Sequence, residues 1–146
     1  MLCKLELNVI KTIAEKEYAE EQKRLDNIAK EKFQHIKEET ISYCENELNE
    51  IFLKKAENRE SLTFTQKFHL EKDRIGNIIA YALKLDNWTY SNGDFSWRPD
   101  EKQVFDLKTM ESYLKGHCFS IDYEDSTYRR YGRGSLKSTT IIINAE

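Results

Sequence analysis

The segment from Asn8 to Asn58 constrains the fold more than any other part of the chain, because it lacks glycine and proline and repeats its apolar residues at helical spacing. The repeated positions are Ile10, Ala14, Tyr18, Leu25, Ile28, Phe33, Ile36, Tyr43, Leu48, Ile51 and Phe52. At 1.5 Å per residue, one helix over this segment would be roughly 70 Å long, longer than a core that the rest of the chain can build. The segment is therefore predicted either to fold back on itself or to place part of its apolar stripe against another chain.

A break in this helix is expected between Glu38 and Ile41, where the apolar stripe changes phase. Thr40 and Ser42 are poor helix formers, so a kink or a tight turn between two helices fits there. The absence of glycine favours the kink over the turn. The helix is expected to end by about Arg59, since the apolar period changes after that residue.

The composition also changes near residue 60, with charged residues concentrated before it and aromatic residues after it. Two structural parts are predicted: a long helical, coiled-coil-like segment over residues 1–60 and a small α+β domain over residues 61–146. Leu5 and Leu7 alternate with charged neighbours, so the first seven residues suit either a short strand or the first turn of the helix.

The formal net charge of -3 is too small for a generic DNA-binding protein or a nucleic-acid mimic, which would carry a larger field of one sign. Cys3, Cys44 and Cys118 are far apart and form no CxxC pattern, which indicates reduced thiols in a cytosolic protein. No apolar run approaches the ~20 residues that span a bilayer. The sequence thus predicts a soluble, cytoplasmic protein without a cofactor.

Beyond Arg59, apolar residues alternate with polar ones from Leu62 to Leu70, as in a half-buried strand. Asp73 is expected to cap a helix that continues to about Leu85. The residues expected to face the sheet from this helix are Ile75, Ile78, Ile79, Ala82 and Leu83.

The pair Asn92-Gly93 predicts a tight β-hairpin, because both residues accept positive φ. Trp88, Tyr90, Phe95 and Trp97 flank the pair and can share one face of the hairpin, which would be either part of the core or a surface for a partner. Pro99 is expected to close the second strand.

Asp106 is predicted to cap a further helix over Leu107 to Lys115, with Gly116 as its stop. Two strands should follow, joined by a long polar loop. The consecutive isoleucines 141–143 indicate that the last strand lies inside the sheet or under a helix. The predicted fold is α+β: a long N-terminal helix, then an antiparallel sheet of four or five strands with two short helices.

A local excess of cationic and aromatic residues lies near the end of the chain, with no acidic residue between Ser126 and Asn144. Its members are Tyr128, Arg129, Arg130, Tyr131, Arg133 and Lys137. Arginine makes multidentate contacts to phosphate or carboxylate and tyrosine can stack on a base, so these residues are candidates for a partner or nucleotide site. The alternative is a solvated loop whose charges keep a sheet edge soluble.

No sequence signature of nucleophilic or metal catalysis is present. His117 and Cys118 are adjacent, but no second pair at ligand spacing accompanies them, so a structural role is favoured over metal binding. An enzyme is the hypothesis with the least support.

The chain ends in LKGHCF, then SIDYEDSTYRRYG, then an isoleucine-rich strand. This pattern resembles that of small accessory proteins of phages and prophages of AT-rich bacteria, over about the last forty residues. The resemblance implies a non-enzymatic binding protein that inhibits a bacterial defence system, such as a CRISPR effector, in the host cytoplasm. The alternative is an oligomeric sponge that sequesters a nucleotide signal through the Tyr/Arg-rich residues.

The apolar stripe also predicts self-association. Leu25, Ile28, Phe33 and Ile36 would form an exposed strip in a monomer, which soluble monomers rarely tolerate. Because the stripe is not a strict heptad, an antiparallel or crossed pairing of two helices in a homodimer or higher oligomer is expected.

Overall fold

The computed structural model describes the backbone of residues 1–91, 94–130 and 134–146, and the side chains of these residues except 85–91, 94–98, 127–130 and 134–137. Within these ranges the chain forms one long helix, five strands and one further helix. The predicted α+β class and antiparallel sheet of four or five strands are confirmed, and the sheet has five strands.

The long helix runs without a turn through α1 (Lys4–Tyr43), a π-helical segment (Cys44–Leu48) and α2 (Asn49–Glu57). The predicted tight turn between Glu38 and Ile41 is wrong, because α1 continues through these residues to Tyr43. The irregular part of the helix is the π-helical segment, which begins about one helical turn later, at Cys44.

The position of the π-helical segment follows from the spacing of the buried residues, which recur at every fourth position. They are Ile36, Thr40, Cys44, Leu48 and Phe52. In an α-helix each step of four residues carries the next side chain about 40° further round the axis. The wider turn of a π-helix takes back part of this rotation, so that all five side chains face the same core. Asn46 Nδ2 donates a hydrogen bond to Ser42 O at 2.9 Å within this stretch.

The sheet contains β1 (Thr63–Lys72), β2 (Ile78–Ser91), β3 (Asp94–Phe105), β4 (Ser120–Arg130) and β5 (Gly134–Asn144). Their spatial order is β3-β2-β1-β5-β4, and every neighbouring pair is antiparallel. The last strand therefore lies inside the sheet, as its consecutive isoleucines indicated. Between β3 and β4 the chain forms α3 (Leu107–Gly116), the helix expected after Asp106.

The helix predicted from Asp73 to about Leu85 is wrong, because most of that segment is β2. Asp73 instead closes the turn between β1 and β2: its Oδ1 accepts hydrogen bonds from the N–H groups of Ile75 at 3.0 Å and Asn77 at 2.7 Å. Gly76 adopts a φ of 90° in this turn, a conformation that glycine adopts without strain.

Two other predicted boundaries are also wrong. Pro99 does not end its strand, since it pairs with Leu83 and β3 continues to Phe105. The long polar loop expected near the end of the chain is instead strand, because β4 extends to Arg130 and β5 begins at Gly134. The turn residues 92–93 of the predicted Asn-Gly hairpin lie outside the described residues, although the strands on either side of them pair as expected.

The core lies between the C-terminal half of the long helix, α3 and one face of the sheet. Its buried members are Cys44, Leu48, Phe52, Phe68, Ala80, Ala82, Phe105, Met110, Leu114, Ile141 and Ile143. Phe105 joins two parts of it, with ring centroids 4.6 Å from Tyr43 on α1 and 5.8 Å from Phe68 on β1.

The cysteines are all free, and their environments predict different reactivity. Cys44 is buried, and burial raises the pKa of its thiol to about 11, so that only about one molecule in a thousand is a thiolate at pH 8. Cys3 and Cys118 are exposed. Iodoacetamide at pH 8 is therefore expected to modify Cys3 and Cys118 in the folded protein and Cys44 only in urea, as read by mass spectrometry. Equal rates at all three thiols in the folded protein would contradict this packing.

Candidate functional site

The first part of the long helix has no contact surface within its own domain. Every residue from Met1 to Glu21, a segment that we call the arm, is exposed. Its helical part, from Lys4 to Glu21, extends about 27 Å at 1.5 Å per residue. Among the described residues, no hydrogen bond or ion pair joins the arm to the sheet. The arm is therefore a free helix on a folded domain.

The arm carries large apolar side chains that are 48–73% exposed. They are Leu2, Leu5, Leu7, Val9, Ile10, Ile13 and Tyr18. With about 100° between successive residues, Leu5, Val9 and Ile13 lie on one side of the helix, while Leu7, Ile10 and Tyr18 form a second stripe; Leu2 precedes the helix. Soluble monomers rarely expose apolar stripes of this extent, and an isolated helix of this length is only marginally stable in water. A protein that covers the stripes would remove both costs.

The base of the arm is fixed by Arg74, which projects from the turn between β1 and β2. Its Nε donates to Asp26 Oδ1 at 2.8 Å, and its Nη2 donates to Gln22 Oε1. These are the contacts by which the domain holds the helix immediately beyond Glu21. The C-terminal end of the arm thus lies next to the residues of α1 that contact the β1–β2 turn.

Replacing Arg74 by alanine is expected to change global stability by less than about 1 kcal/mol, because the ion pair is exposed to water. The local effect should be larger: amide hydrogen exchange should accelerate between Gln22 and Phe33, since this part of α1 loses its hold on the β1–β2 turn. Lys30→Ala on the exposed side of the same helix is the control. Equal exchange in both variants would show that Arg74 does not anchor the helix.

The four residues predicted as an oligomer interface have different environments. Ile36 is buried in the domain at 5% exposure. Leu25 and Phe33 are half-buried and, with Ile28, line a cavity of about 300 Å³ against the β1–β2 turn. Ile28 is 47% exposed. Self-association through these residues stays a prediction, but the larger apolar surface open to a second chain lies on the arm. The sequence placed Ile10 and Tyr18 of this surface in the apolar stripe, but it left residues 1–7 undecided between a strand and a helical turn.

The Tyr/Arg-rich residues cannot be placed in a site. Arg129 and Arg130 end β4 and Lys137 lies in β5, but their side chains are outside the described residues, as is that of Tyr128. Tyr131 and Arg133 lie outside the described residues entirely. The same holds for the side chains of the aromatic quartet, although the backbone pairs Trp88 with Trp97 and Tyr90 with Phe95. The predictions made for these residues stay predictions.

A groove of about 980 Å³ lies between α1 and α3. Phe33, Lys37 and Ile41 form its α1 wall, and Lys108 is part of its α3 wall. The floor includes Tyr123, Asp125 and Thr139 of β4 and β5. The sequence pattern did not bring these residues together as one site, because the groove forms through the pairing of β4 with β5 and the packing of α3.

No family model, curated protein or solved structure matches this chain. What the chain does must therefore be inferred from its own surfaces. No helix in the described part of the chain is long and apolar enough to cross a membrane. Among the described residues, no group of three or more His, Cys, Asp or Glu side chains is placed to hold a metal ion.

Hydrogen bonds and burial determine the protonation states of Glu111 and Tyr123, which line the groove. Lys115 Nζ donates to Glu111 Oε1 at 2.5 Å and Tyr123 Oη donates to Glu111 Oε2 at 2.7 Å, and together they lower the pKa of that carboxyl. Burial, with the Glu111 charge beside it, raises the pKa of Tyr123. At neutral pH Glu111 is charged and Tyr123 is protonated. Their hydrogen bond joins α3 to β4, and neither group readily exchanges a proton near pH 7.

Outside the groove, the remaining sequence candidate for metal binding has a structural contact. His117 Nδ1 lies 2.8 Å from Tyr113 O, and the two rings stack with centroids 4.3 Å apart. Cys118, beside it, takes a φ of 67° at the end of α3. His117 is thus held against its own helix.

Proposed function

We propose that the protein is a non-enzymatic binding protein that captures a partner protein with the arm. The observation that supports this proposal is the complete exposure of Met1–Glu21 together with its apolar stripes. An amphipathic helix that lays apolar side chains into a groove is a common mode of protein recognition. The domain that follows supplies a rigid base, to which Arg74 fixes the helix.

The partner class that we propose is a bacterial defence protein or nucleoprotein, such as a CRISPR effector, in the host cytoplasm. The resemblance of the last forty residues to phage and prophage accessory proteins favours this class. Binding alone can inhibit such an effector, because a helix that occupies a functional groove excludes the nucleic acid or protein that uses it. This mechanism requires no catalytic group on the inhibitor.

The test is an interference assay in bacteria that carry a CRISPR effector and are challenged with a targeted phage. Expression of the protein should restore plaque formation. Leu5→Glu with Ile13→Glu should abolish the effect, because loss of two buried side chains at about 1.5–3 kcal/mol each weakens binding by roughly 100-fold or more. Asn8→Glu with Ala19→Glu is the matched control, since it adds the same charge at exposed positions between the two apolar stripes of the same helix.

Restored plaques with the Leu5/Ile13 variant, or lost activity with the Asn8/Ala19 control, would contradict binding through the apolar stripes. Unchanged interference across effectors of different types would contradict the proposed partner class. Circular dichroism of each purified variant shows whether the domain remains folded, which it should, because no residue of the arm belongs to the core.

Self-association through the long helix is the second part of the proposal, because a second copy could also cover the exposed stripes. Sedimentation at micromolar concentration should give a multiple of 17.4 kDa. Leu5→Glu with Ile13→Glu should dissociate an oligomer that forms through the arm, and Leu25→Glu with Ile28→Glu should dissociate one that forms through the predicted interface, while the sheet stays folded in both variants. A wild-type protein that sediments as a monomer would contradict self-association and leave the arm free for a different partner.

A further inference from the structure

Among the side chains that the structure describes, three of the five large apolar ones that are exposed beyond the arm line the groove between α1 and α3. Ile41, Ile78 and Tyr123 are 38%, 44% and 44% exposed, and all of them line it. Phe33 and Leu107 extend the apolar lining. Small-molecule sites typically enclose about 300–1,000 Å³ and are lined mainly by such residues. The groove therefore has the size and the lining for a ligand with an apolar or aromatic body.

Two lysines stand on opposite walls of this groove. Lys37 lies on α1, with its Nζ 5.0 Å from the centroid of the Phe33 ring. Lys108 lies in the first turn of α3, where a cation is unfavourable to the helix dipole, so helix stability does not explain it. Neither lysine forms an ion pair with a residue whose side chain the structure describes.

The carboxylates of the groove already hold donors from the protein. Glu111 is paired with Lys115, as described above, and Asp106 Oδ2 accepts the Thr109 hydroxyl at 2.7 Å. Asp125 Oδ1 accepts the Thr139 hydroxyl at 2.8 Å on the floor. Because Asp125 has no cationic partner among the described side chains, an acidic ligand group should avoid the floor and approach the walls. The two lysine ammonium groups are then the charges available to recognise it.

We propose that the groove binds a small molecule that combines a flat apolar or aromatic body with one acidic group. The body packs against Phe33, Ile41 and Tyr123, and Lys37 and Lys108 hold the acidic group. This binding does not depend on the arm, because no residue of Met1–Glu21 lines the groove. The protein thus has a ligand site in its domain that is separate from the surface proposed for a protein partner.

A pair of fluorescent probes tests both parts of this chemistry. 8-Anilinonaphthalene-1-sulfonate has an aromatic body and one acidic group, and N-phenyl-1-naphthylamine has the same body without the acid. Lys37→Gln with Lys108→Gln should raise the Kd of the sulfonate about tenfold or more, because two charge-assisted contacts are lost. The Kd of the uncharged probe should stay the same.

The matched control is Lys16→Gln with Lys30→Gln, which makes the same change of net charge on exposed positions of α1 outside the groove. This control should bind both probes as the wild type does. Equal loss of sulfonate binding in both double variants would show a general charge effect and overturn the proposal. An equal loss of binding for both probes in the Lys37/Lys108 variant would show damage to the apolar lining and would also overturn the proposal.

A third variant locates the probes. Ile41→Trp should fill the groove and raise the Kd of both probes by about tenfold or more. Ile28→Trp, on an exposed position of the same helix, should leave both Kd values unchanged. Undiminished binding in the Ile41 variant would place the probes elsewhere, for example on the arm. Absence of saturable binding by the wild-type protein would likewise overturn the proposal.

Discussion

Phe68→Ala is expected to lower the free energy of unfolding by about 3–5 kcal/mol, a large fraction of the 5–15 kcal/mol that stabilises an ordinary domain. Phe68 is 1% exposed on β1, the middle strand of the sheet. Its backbone neighbours are Ala82 on β2 and Thr139 on β5, and neither small side chain can fill the space that the ring leaves. Urea unfolding followed by circular dichroism gives the change as a lower midpoint at an unchanged slope.

Phe33→Ala is the matched control for this truncation, since Phe33 is only half-buried at the edge of the groove. Its cost should be less than half that of Phe68→Ala, because water already reaches part of the ring. Equal costs for the two variants would mean that the sheet face beneath the helix is not the centre of the core.

β2 shows where sequence reasoning about the fold reaches its limit. Ile75, Ile78, Ile79, Ala82 and Leu83 satisfy the helical spacing of three and four residues, and this supported a helix. In the structure, Ala80 and Ala82 are buried on one face of the strand, and Ile79 and Leu83 are buried on the other. A strand covered on both faces has a nearly continuous apolar run, which periodicity cannot distinguish from a buried helix. Pairing with β1, a long-range interaction, decides between them.

The long helix shows the opposite case, in which local sequence dominates. The absence of glycine and proline favoured a kinked helix over two helices joined by a turn, and a helix without a turn is present from Lys4 to Glu57. The displaced irregularity has a local cause in the strict four-residue spacing from Ile36 to Phe52. That spacing was present in the sequence, but its meaning depends on knowing which side chains the sheet covers.

The arm and the groove also differ in how much of each the sequence reveals. The apolar residues of the arm are evident in the sequence, yet their exposure depends on how far the sheet reaches along the helix, which no local pattern gives. The groove joins Lys37, Lys108 and Asp125 from α1, α3 and β4, elements whose proximity results from the order of the strands. Sequence patterns can therefore identify the residues of such a site only one element at a time.

Thr40 links the long helix to α3 through one buried hydroxyl, and its loss is expected to cost about 1–3 kcal/mol. The side chain is 0% exposed; its Oγ1 donates to Ile36 O at 2.8 Å and accepts the Asp106 N–H at 3.0 Å. Thr40→Val keeps the volume and the branching at Cβ but leaves the buried Asp106 N–H without an acceptor. Since Asp106 begins α3, the effect should be concentrated where α3 joins β3.

Thr40→Ser separates the hydrogen bond from the packing, because it keeps the hydroxyl and removes one methyl group at a cost of about 1 kcal/mol. Amide hydrogen exchange gives a readout that packing alone would not change. The amide of Asp106 should exchange faster in the valine variant, whereas in the serine variant it should stay protected, relative to the global stability of each protein. If valine leaves this amide as protected as in the wild type, the Thr40 hydroxyl does not hold α3. The attachment of α3 to the helix would then depend on the apolar contacts of Met110 and Leu114 within the core.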